Sequence, residues 1–468
     1  MRGFRLLGLV TLFAIAPFVA AQQTVPDAGS LLRQEEAVRE PQQAPLPPLP
    51  EESPLPELTD TGDVRVTVRD VRYTGAVELI GELALDDAVA EALGRELDFA
   101  GLRALAERVT RRLKAEGWIL SRAYLPEQDL TEGVITLGIL AGSLDTEGRA
   151  FRIESVDGSA LRVDPERLGR VLTGLVPQGE PVRELDLNRA VLLINDLSGI
   201  RAAARLEPGQ TAGSTHVLLS VEEDRRWDGA LSASNYGNRS TGRTQGSVSG
   251  SLNNLSGVGD QADLAYTLAE GMGFVRFGYR RPLGTQGWLL ELGQTALDYE
   301  VVSGAGADSA IDGDARVSRL GLSYPLVRSR LANVTLGVEG AYEALEDRVA
   351  GTAISDKRVE TLSLRLNADR TDRWGGGGRT DLSLVPVWGN LDLSRVADDA
   401  RQDAATFDRA GDFTKVEWRL ARLQALGASR FTAYAELRGQ FANRNLNSSQ
   451  RFQVAGPGGV RAYPGGEA

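Results

Sequence analysis

From Trp227 to about Gln440 the chain alternates apolar and polar residues, segment after segment, with polar turns between. In Gly246-Ser-Val-Ser-Gly-Ser-Leu-Asn253, Val248 and Leu252 fall on one side, and Ser247, Ser249, Ser251 and Asn253 on the other. The next segment sets Leu264, Tyr266 and Leu268 against Asp263, Ala265 and Thr267. Side chains alternate across a strand with period two, so each segment predicts a strand with one apolar and one polar face. Many such strands without covering helices need a solvent for the apolar face. Lipid serves, provided the sheet curls so that its polar face lines a watery interior.

The N-terminus carries an address. Arg2 and Arg5 precede an apolar run from Leu6 that ends Val19-Ala20-Ala21. A basic start, a short apolar stretch and small residues at its end describe a secretory signal peptide over 1–21, cut after Ala21. The run is short for a membrane anchor, the competing reading. With 42% hydrophobic residues in strand periodicity, a secreted chain points to the outer membrane of a Gram-negative bacterium. The net charge of −12 argues against a nucleic-acid partner, which would require a basic face.

Behind the signal, residues 22–40 contain Leu31, Leu32, Glu35 and Val38 at helical spacing, with Asp27 or Ser30 as cap and Glu35 four residues before Arg39. So thin an apolar stripe is not expected to anchor a core, but it suits a wet channel; a floppy terminus is the alternative. Residues 41–60 crowd seven prolines between Pro41 and Pro56, an extended linker. Two α/β modules of the order strand, helix, helix, strand, strand follow, over 62–142 and 148–223. In the first, Asp98 caps a helix with Leu102, Leu105, Val109 and Leu113 on one side, Gly117 ends it, and strands follow at Trp118–Leu125 and Gly133–Leu140. In the second, Asp164–Leu175 and a helix with Leu187, Ala190, Val191 and Ile194 precede strands Arg201–Leu206 and Thr215–Val221. Each module leaves a sheet edge that can accept an extended guest strand through backbone hydrogen bonds.

The strand-rich region spans 226–468. Its outward sets include Val275 and Phe277, Leu320 and Leu322, Leu362 and Leu364, and Phe431 and Leu437. Their inward partners are charged: Arg276, Arg319, Arg365, Glu417, Arg419, Glu436 and Arg438, with Arg280, Glu339 and Lys415, as a hydrated interior wall requires. Turns alternate between tight and long, the long ones at Ser303–Ala315 and Ala397–Asp412. A soluble sandwich would need shorter strands with the polar face outside. One histidine and no cysteine leave almost no metal or nucleophile chemistry, so neither an enzyme nor a cofactor is expected. The acidic pair Asp398-Asp399 reads as solvated loop.

Four places resemble one family. Leu125-Pro-Glu-Gln-Asp-Leu130 with Glu132–Gly142, Leu187-Asn-Arg-Ala-Val-Leu-Leu-Ile-Asn-Asp-Leu-Ser-Gly-Ile200, Asn235-Tyr-Gly-Asn-Arg-Ser-Thr-Gly-Arg243 and Val460-Arg-Ala-Tyr463 are similar to segments of the two-partner secretion transporters, the haemolysin and filamentous-haemagglutinin secretion-activation family. The resemblance implies two polypeptide-transport-associated (POTRA) modules in the periplasm, followed by an antiparallel transmembrane β-barrel. It implies a pore that exports a large secreted β-helical protein, an adhesin, haemolysin or contact-dependent toxin. A barrel-assembly factor of the same superfamily is the alternative. It further implies that residues 22–40 plug the pore, with Leu31, Leu32, Arg33, Glu35, Glu36 and Arg39 on the plug. The tip Val460, Arg461, Ala462 and Tyr463, within a loop motif over 451–468, would fold inward so that Arg461 meets the wall near an acidic residue. Ala462 stands where the family usually has glycine. Family members continue for about five strands beyond this loop, whereas this chain stops at Ala468. About 11 of an expected 16 strands, an open sheet, and Trp227 and Phe431 on its edge strands are therefore expected.

Overall fold

A computed structural model describes residues 25–37, 51–52, 65–146, 150–209, 214–304, 306–427 and 431–453. Helix α1 (Ala28–Ala37) comes first, then a two-residue strand β1 (Glu51–Glu52). The first module contains β2 (Arg65–Thr67), β3 (Asp70–Gly75), α2 (Glu82–Val89), β4 (Glu96–Asp98), α3 (Phe99–Ala115), β5 (Arg122–Tyr124) and β6 (Val134–Leu140). Asp98 accepts from the Gly101 amide at 2.8 Å, and the α3 residues Leu102, Leu105, Val109 and Leu113 are buried against Ile135, Leu137 and Ile139. The sheet order is β3-β6-β5, with β2 and β4 paired separately. Strand β4 was not anticipated, because Glu96–Asp98 also serves as the approach to the helix cap. The strand expected over Trp118–Leu125 shrinks to Arg122–Tyr124. Residues 118–121 are diverted because Trp118 donates its indole N–H to the Leu79 carbonyl and lies under Arg183.

A short strand β7 (Ser143–Leu144) leads into the second module: β8 (Phe151–Ser155), α4 (Pro165–Leu175), α5 (Glu184–Asn195), β9 (Ile200–Pro208) and β10 (Ser214–Glu223). Leu168, Val171, Leu172, Val191 and Ile194 from the two helices close over Val217, Leu219 and Val221. Strand β10 pairs antiparallel with β9 and parallel with β7 and β8. The free side of β9 is met by the linker itself, with Glu51 opposite Arg205 and Glu52 opposite Leu206.

An 11-stranded antiparallel sheet follows in strict sequence order. Its strands are β11 (Trp227–Ser234), β12 (Gln245–Asn253), β13 (Gln261–Ala269), β14 (Met272–Leu283), β15 (Trp288–Glu300), β16 (Ile311–Arg328), β17 (Ala332–Val349), β18 (Thr352–Asp372), β19 (Gly378–Asp392), β20 (Gly411–Ala425) and β21 (Thr432–Ala442). Strands β11 and β21 have one neighbour each among the described residues; Trp227 stands on the first and Phe431 immediately precedes the last. The long loop before β20 is partly helical, α6 (Ala397–Ala405), so Asp398 and Asp399 lie in a helix's first turn. Asp403 locks that loop by accepting from the Arg409 and Ala410 amides and the Arg409 side chain.

Outward residues such as Leu264, Phe277, Leu320, Leu362 and Leu437 are exposed, forming the apolar band. The longest strands outrun that band. At roughly 3.3 Å per residue, the 21 residues of β18 span about 70 Å, about twice what a band roughly 25 Å tall requires at a tilt of about 45°. Beyond the band the two faces exchange character. On β16, Asp312 and Asp314 now point outward and are bridged by Arg348 at 2.8 and 3.0 Å, while Ala315 and Val317 turn inward and are fully buried. An inner wall of charged and small residues throughout therefore holds only for the lower half; in the upper half apolar side chains such as Ala315, Val317 and Leu345 share the interior with the buried Glu343, Asp347 and Lys357.

The second module is seated on the rim below. The Asp164 amide donates to the Gly257 carbonyl at 2.9 Å, the Ser198 amide to Gly259 at 3.1 Å, and Arg328 bridges to Asp196 at 2.7 Å. Leu172, with no exposed surface, is the module's central side chain. Replacing it with Ala should lower the module's stability by roughly 2–5 kcal/mol, read as cleavage at lower urea in pulse proteolysis of the whole chain. An unshifted midpoint would show that the site collapses around the smaller side chain.

Candidate functional site: a helix in the concave face of the sheet

Helix α1 begins with a reciprocal cap: the Ser30 amide donates to Asp27 Oδ1 at 2.9 Å, and the Asp27 amide to Ser30 Oγ at 3.2 Å. Ala28, Leu31 and Leu32 share one side, as positions three and four apart do on a helix. Both leucines are about 1% exposed. They pack among Phe274, Leu297, Tyr299, Val317 and Leu345, the inward side chains of the upper wall. So thin a stripe is not expected to anchor a core, and here it joins one that the wall supplies. Two or three residues suffice because the wall supplies the rest, and each buried leucine contributes roughly 1.5–3 kcal/mol.

The polar residues of α1 reach in several directions. Arg33 Nη2 lies 3.0 Å from Glu417 on β20, Glu36 is 2.6 Å from Arg319 on β16, and Glu35 accepts from Gln245 on β12 at 2.8 Å. At the other end Lys357 Nζ bridges Asp27 and Asp347 at 3.3 and 3.2 Å. Asp347 also accepts the Ala28 amide and the Tyr299 hydroxyl, both at 2.8 Å. A carboxylate at a helix N-terminus is favoured by the peptide dipoles. One helix thus touches strands eight apart, so the sheet wraps around it.

Wall residues that do not hold the helix pair with one another. Arg276 faces Asp263 at 3.9 Å, Arg365 faces Glu339 at 3.4 Å, and Glu436 meets Arg419 at 3.0 Å and Arg438 at 3.9 Å. Lys415 is 2.7 Å from Glu417. Sequence reading did not single out Glu343, Asp347 or Lys357. The signal was present, since Glu343 and Asp347 share the strand parity of Glu339, and Lys357 that of Arg365. Their function depends on the helix they meet, which parity does not reveal.

After β21 the chain folds back inward. Ser448 Oγ donates to Asp27 at 2.6 Å, Gln450 donates to Glu343 at 2.8 Å, and the Gln450 carbonyl accepts from Lys415 at 3.0 Å. Gly29 allows this approach, because a Cβ there would stand 2.5 Å from Ser448 Oγ and 2.8 Å from the Ser449 amide. The seat is not fully satisfied: Arg33 Nε and Glu343 Oε2 are buried without hydrogen-bond partners. Ala21, Arg39 and the tip Val460, Arg461, Ala462 and Tyr463 lie outside the described residues. Among the described residues no group of three or more His, Asp or Glu side chains could hold a metal ion.

The family described as haemolysin secretion/activation protein ShlB/FhaC/HecB matches residues 213–466, and the ShlB-type POTRA domain matches 66–142. The chain belongs to the haemolysin secretion/activation family. The heme/hemopexin transporter protein HuxB of Haemophilus influenzae is 26% identical over 382 residues, covering 80% of this chain and 65% of the relative. The outer membrane transporter CdiB of Dickeya dadantii is 23% identical over 416 residues, covering 85% and 69%. The solved CdiB from Escherichia coli superposes with a TM-score of 0.65 at 21% identity, over 95% of this chain and 82% of that one. That likeness shows the fold, POTRA modules followed by a barrel-type sheet. This chain spans 65% of the length of HuxB. Family membership places it in the outer membrane with its POTRA modules in the periplasm.

The absence of cysteine makes the helix easy to monitor. A Cys introduced as Ala28→Cys, at a fully buried position, should resist a membrane-impermeant maleimide. Adding Leu31→Asp should raise the labelling rate at least about tenfold, since a buried unpaired carboxylate is costly. Arg319→Glu should act in the same direction, and Glu36→Arg in the same chain should reverse it. Equal labelling in all four would mean that the helix does not depend on these contacts.

Proposed function

We propose that this chain is the pore of a two-partner secretion system, which recognises a large secreted β-helical protein in the periplasm and passes it across the outer membrane. The observation that carries the reading is the manner in which α1 occupies the concave face. A structural core helix would be held by apolar packing on several sides. This one has two leucines, a ring of ion pairs and two buried atoms without partners. Each such atom costs roughly 1–3 kcal/mol. The seat is strong enough to close a pore and weak enough to be vacated.

On this reading residues 1–21 are a signal peptide, 22–40 the plug, 41–60 its tether, 62–142 and 148–223 the POTRA modules, and 226–468 the transport barrel with its inward loop motif. The partner's extended N-terminal region adds to an exposed strand edge such as β8 of the second module, bonded only to β10 among the described residues. The plug then leaves, the loop bearing Arg461 rearranges, and the wall residues Arg276, Arg319, Arg365, Glu417, Arg419, Glu436 and Arg438 form a hydrated lining for an unfolded chain. Folding of the partner outside supplies direction. Lipid covers the apolar band, and no nucleic acid takes part.

Deleting residues 148–223 should abolish export of the secreted product of the neighbouring gene while the sheet still reaches the outer membrane, read by immunoblotting medium and membranes. Export surviving the deletion would refute recognition through the modules. A general fall in other outer-membrane proteins would indicate an assembly factor instead.

A further inference from the structure

Where the second module meets the rim of the sheet, the two enclose a cavity of about 430 Å³. Val171 and Leu193 on the module and Leu283 on the rim give it an apolar side. Ser323, Thr335 and Asp369, also in its lining, share the inward parity of Arg319, Glu339 and Arg365, whereas Leu283 and its cross-strand neighbour Trp288 share the outward parity of Val275 and Phe277, so the cavity lies at the strand ends and reaches the concave face. The charged groups along its inward side select a charged occupant over an acyl chain.

The remaining wall carries four guanidinium groups, Arg167, Arg328, Arg330 and Arg379, against the carboxylates of Asp196 and Asp369. Both carboxylates are engaged. Asp196 takes Arg328 at 2.9 and 2.7 Å, and Asp369 accepts from Asn333 at 3.0 Å and stands 3.5 Å from Arg379. Arg167 has no carboxylate within ion-pair distance among the described residues. Its Nη2 donates to the Pro282 carbonyl at 3.2 Å, and its Nε is buried with no partner. Burial, with Arg170 and Arg281 close by, holds its pKa below the ordinary arginine value. Arg330 is likewise lowered by burial.

We propose that this cavity is a docking site for an extended polypeptide segment carrying an acidic residue between apolar ones, taken up as it passes from the second module to the concave face. The inference rests on the export reading above. The incoming carboxylate meets the guanidinium of Arg167, which lines the cavity and has no carboxylate of its own among the described residues, in a charge-assisted hydrogen bond. Its apolar neighbours lie on Val171, Leu193 and Leu283. The volume is within the roughly 300–1,000 Å³ of small-ligand sites, enough for a few residues at a time.

The test uses the full chain in detergent and two fluorescein-labelled peptides, one with an aspartate between two leucines and one with asparagine in its place. Fluorescence anisotropy should show the aspartate peptide bound about three- to fivefold more tightly, the size of one partly exposed charge contact. Arg167→Gln should abolish that preference, and Leu283→Ser should weaken both peptides by a similar factor. Raising the ionic strength tenfold should erode the preference of the unmodified chain, a readout that does not depend on the Arg167 variant folding. Equal affinities in the unmodified chain, or a preference that survives Arg167→Gln or high salt, would overturn the proposal. Export of the neighbouring gene's product is scored in parallel. Intact export without a peptide preference refutes this site alone, and no export from the unmodified chain refutes the reading beneath it.

Discussion

Everything in this chain follows from a backbone that cannot leave a hydrogen-bonding group unpaired in lipid. Eleven consecutive strands, each laddered to the next in sequence order, meet that requirement everywhere but on the outer sides of β11 and β21 among the described residues. The two-residue period then assigns every side chain to lipid or to the interior. Leu320 and Arg319 are adjacent in sequence, yet one is exposed on the outer face and the other grips Glu36 within.

The same constraint explains why the faces exchange roles above the band. Once a strand leaves lipid, its outward residues meet water and its inward ones can pack. The Arg348 cluster with Asp312 and Asp314 occupies the wet exterior there, and Phe274, Leu297, Val317 and Leu345 form a dry interior. That dry interior is what a helix as polar as α1 needs. Leu31 and Leu32 enter it, while Arg33, Glu35 and Glu36 remain at the depth where the wall is charged. The wall holds the helix in three places: apolar side chains around Leu31 and Leu32, ion pairs to Arg33 and Glu36, and Lys357 at Asp27.

The second module is fixed to the rim by backbone bonds to the β12–β13 turn and by Arg328 on Asp196. The linker strand β1 lies on β9, where Glu51 and Glu52 occupy an edge of the second module's sheet that would otherwise be open to an added strand.

The alternation of Val248, Leu264, Phe277 and Leu362 with polar neighbours determined the strands, their faces and the need for lipid, because period two is a local property. Capping by Asp98 and the helical spacing of Leu102, Leu105, Val109 and Leu113 were equally local, and legible for the same reason. The depth at which the wall turns apolar was not legible, because it depends on where each strand leaves the membrane. Nor were the partners of α1. Asp27 and Lys357 are separated by 330 positions, and Asp27 and Ser448 by 421, and only the curl of the sheet brings them together. Strand parity alone tells which side chains face inward; which of them meet follows only from the folded sheet, because its curvature around a helix is a property of all the strands together and of no single one.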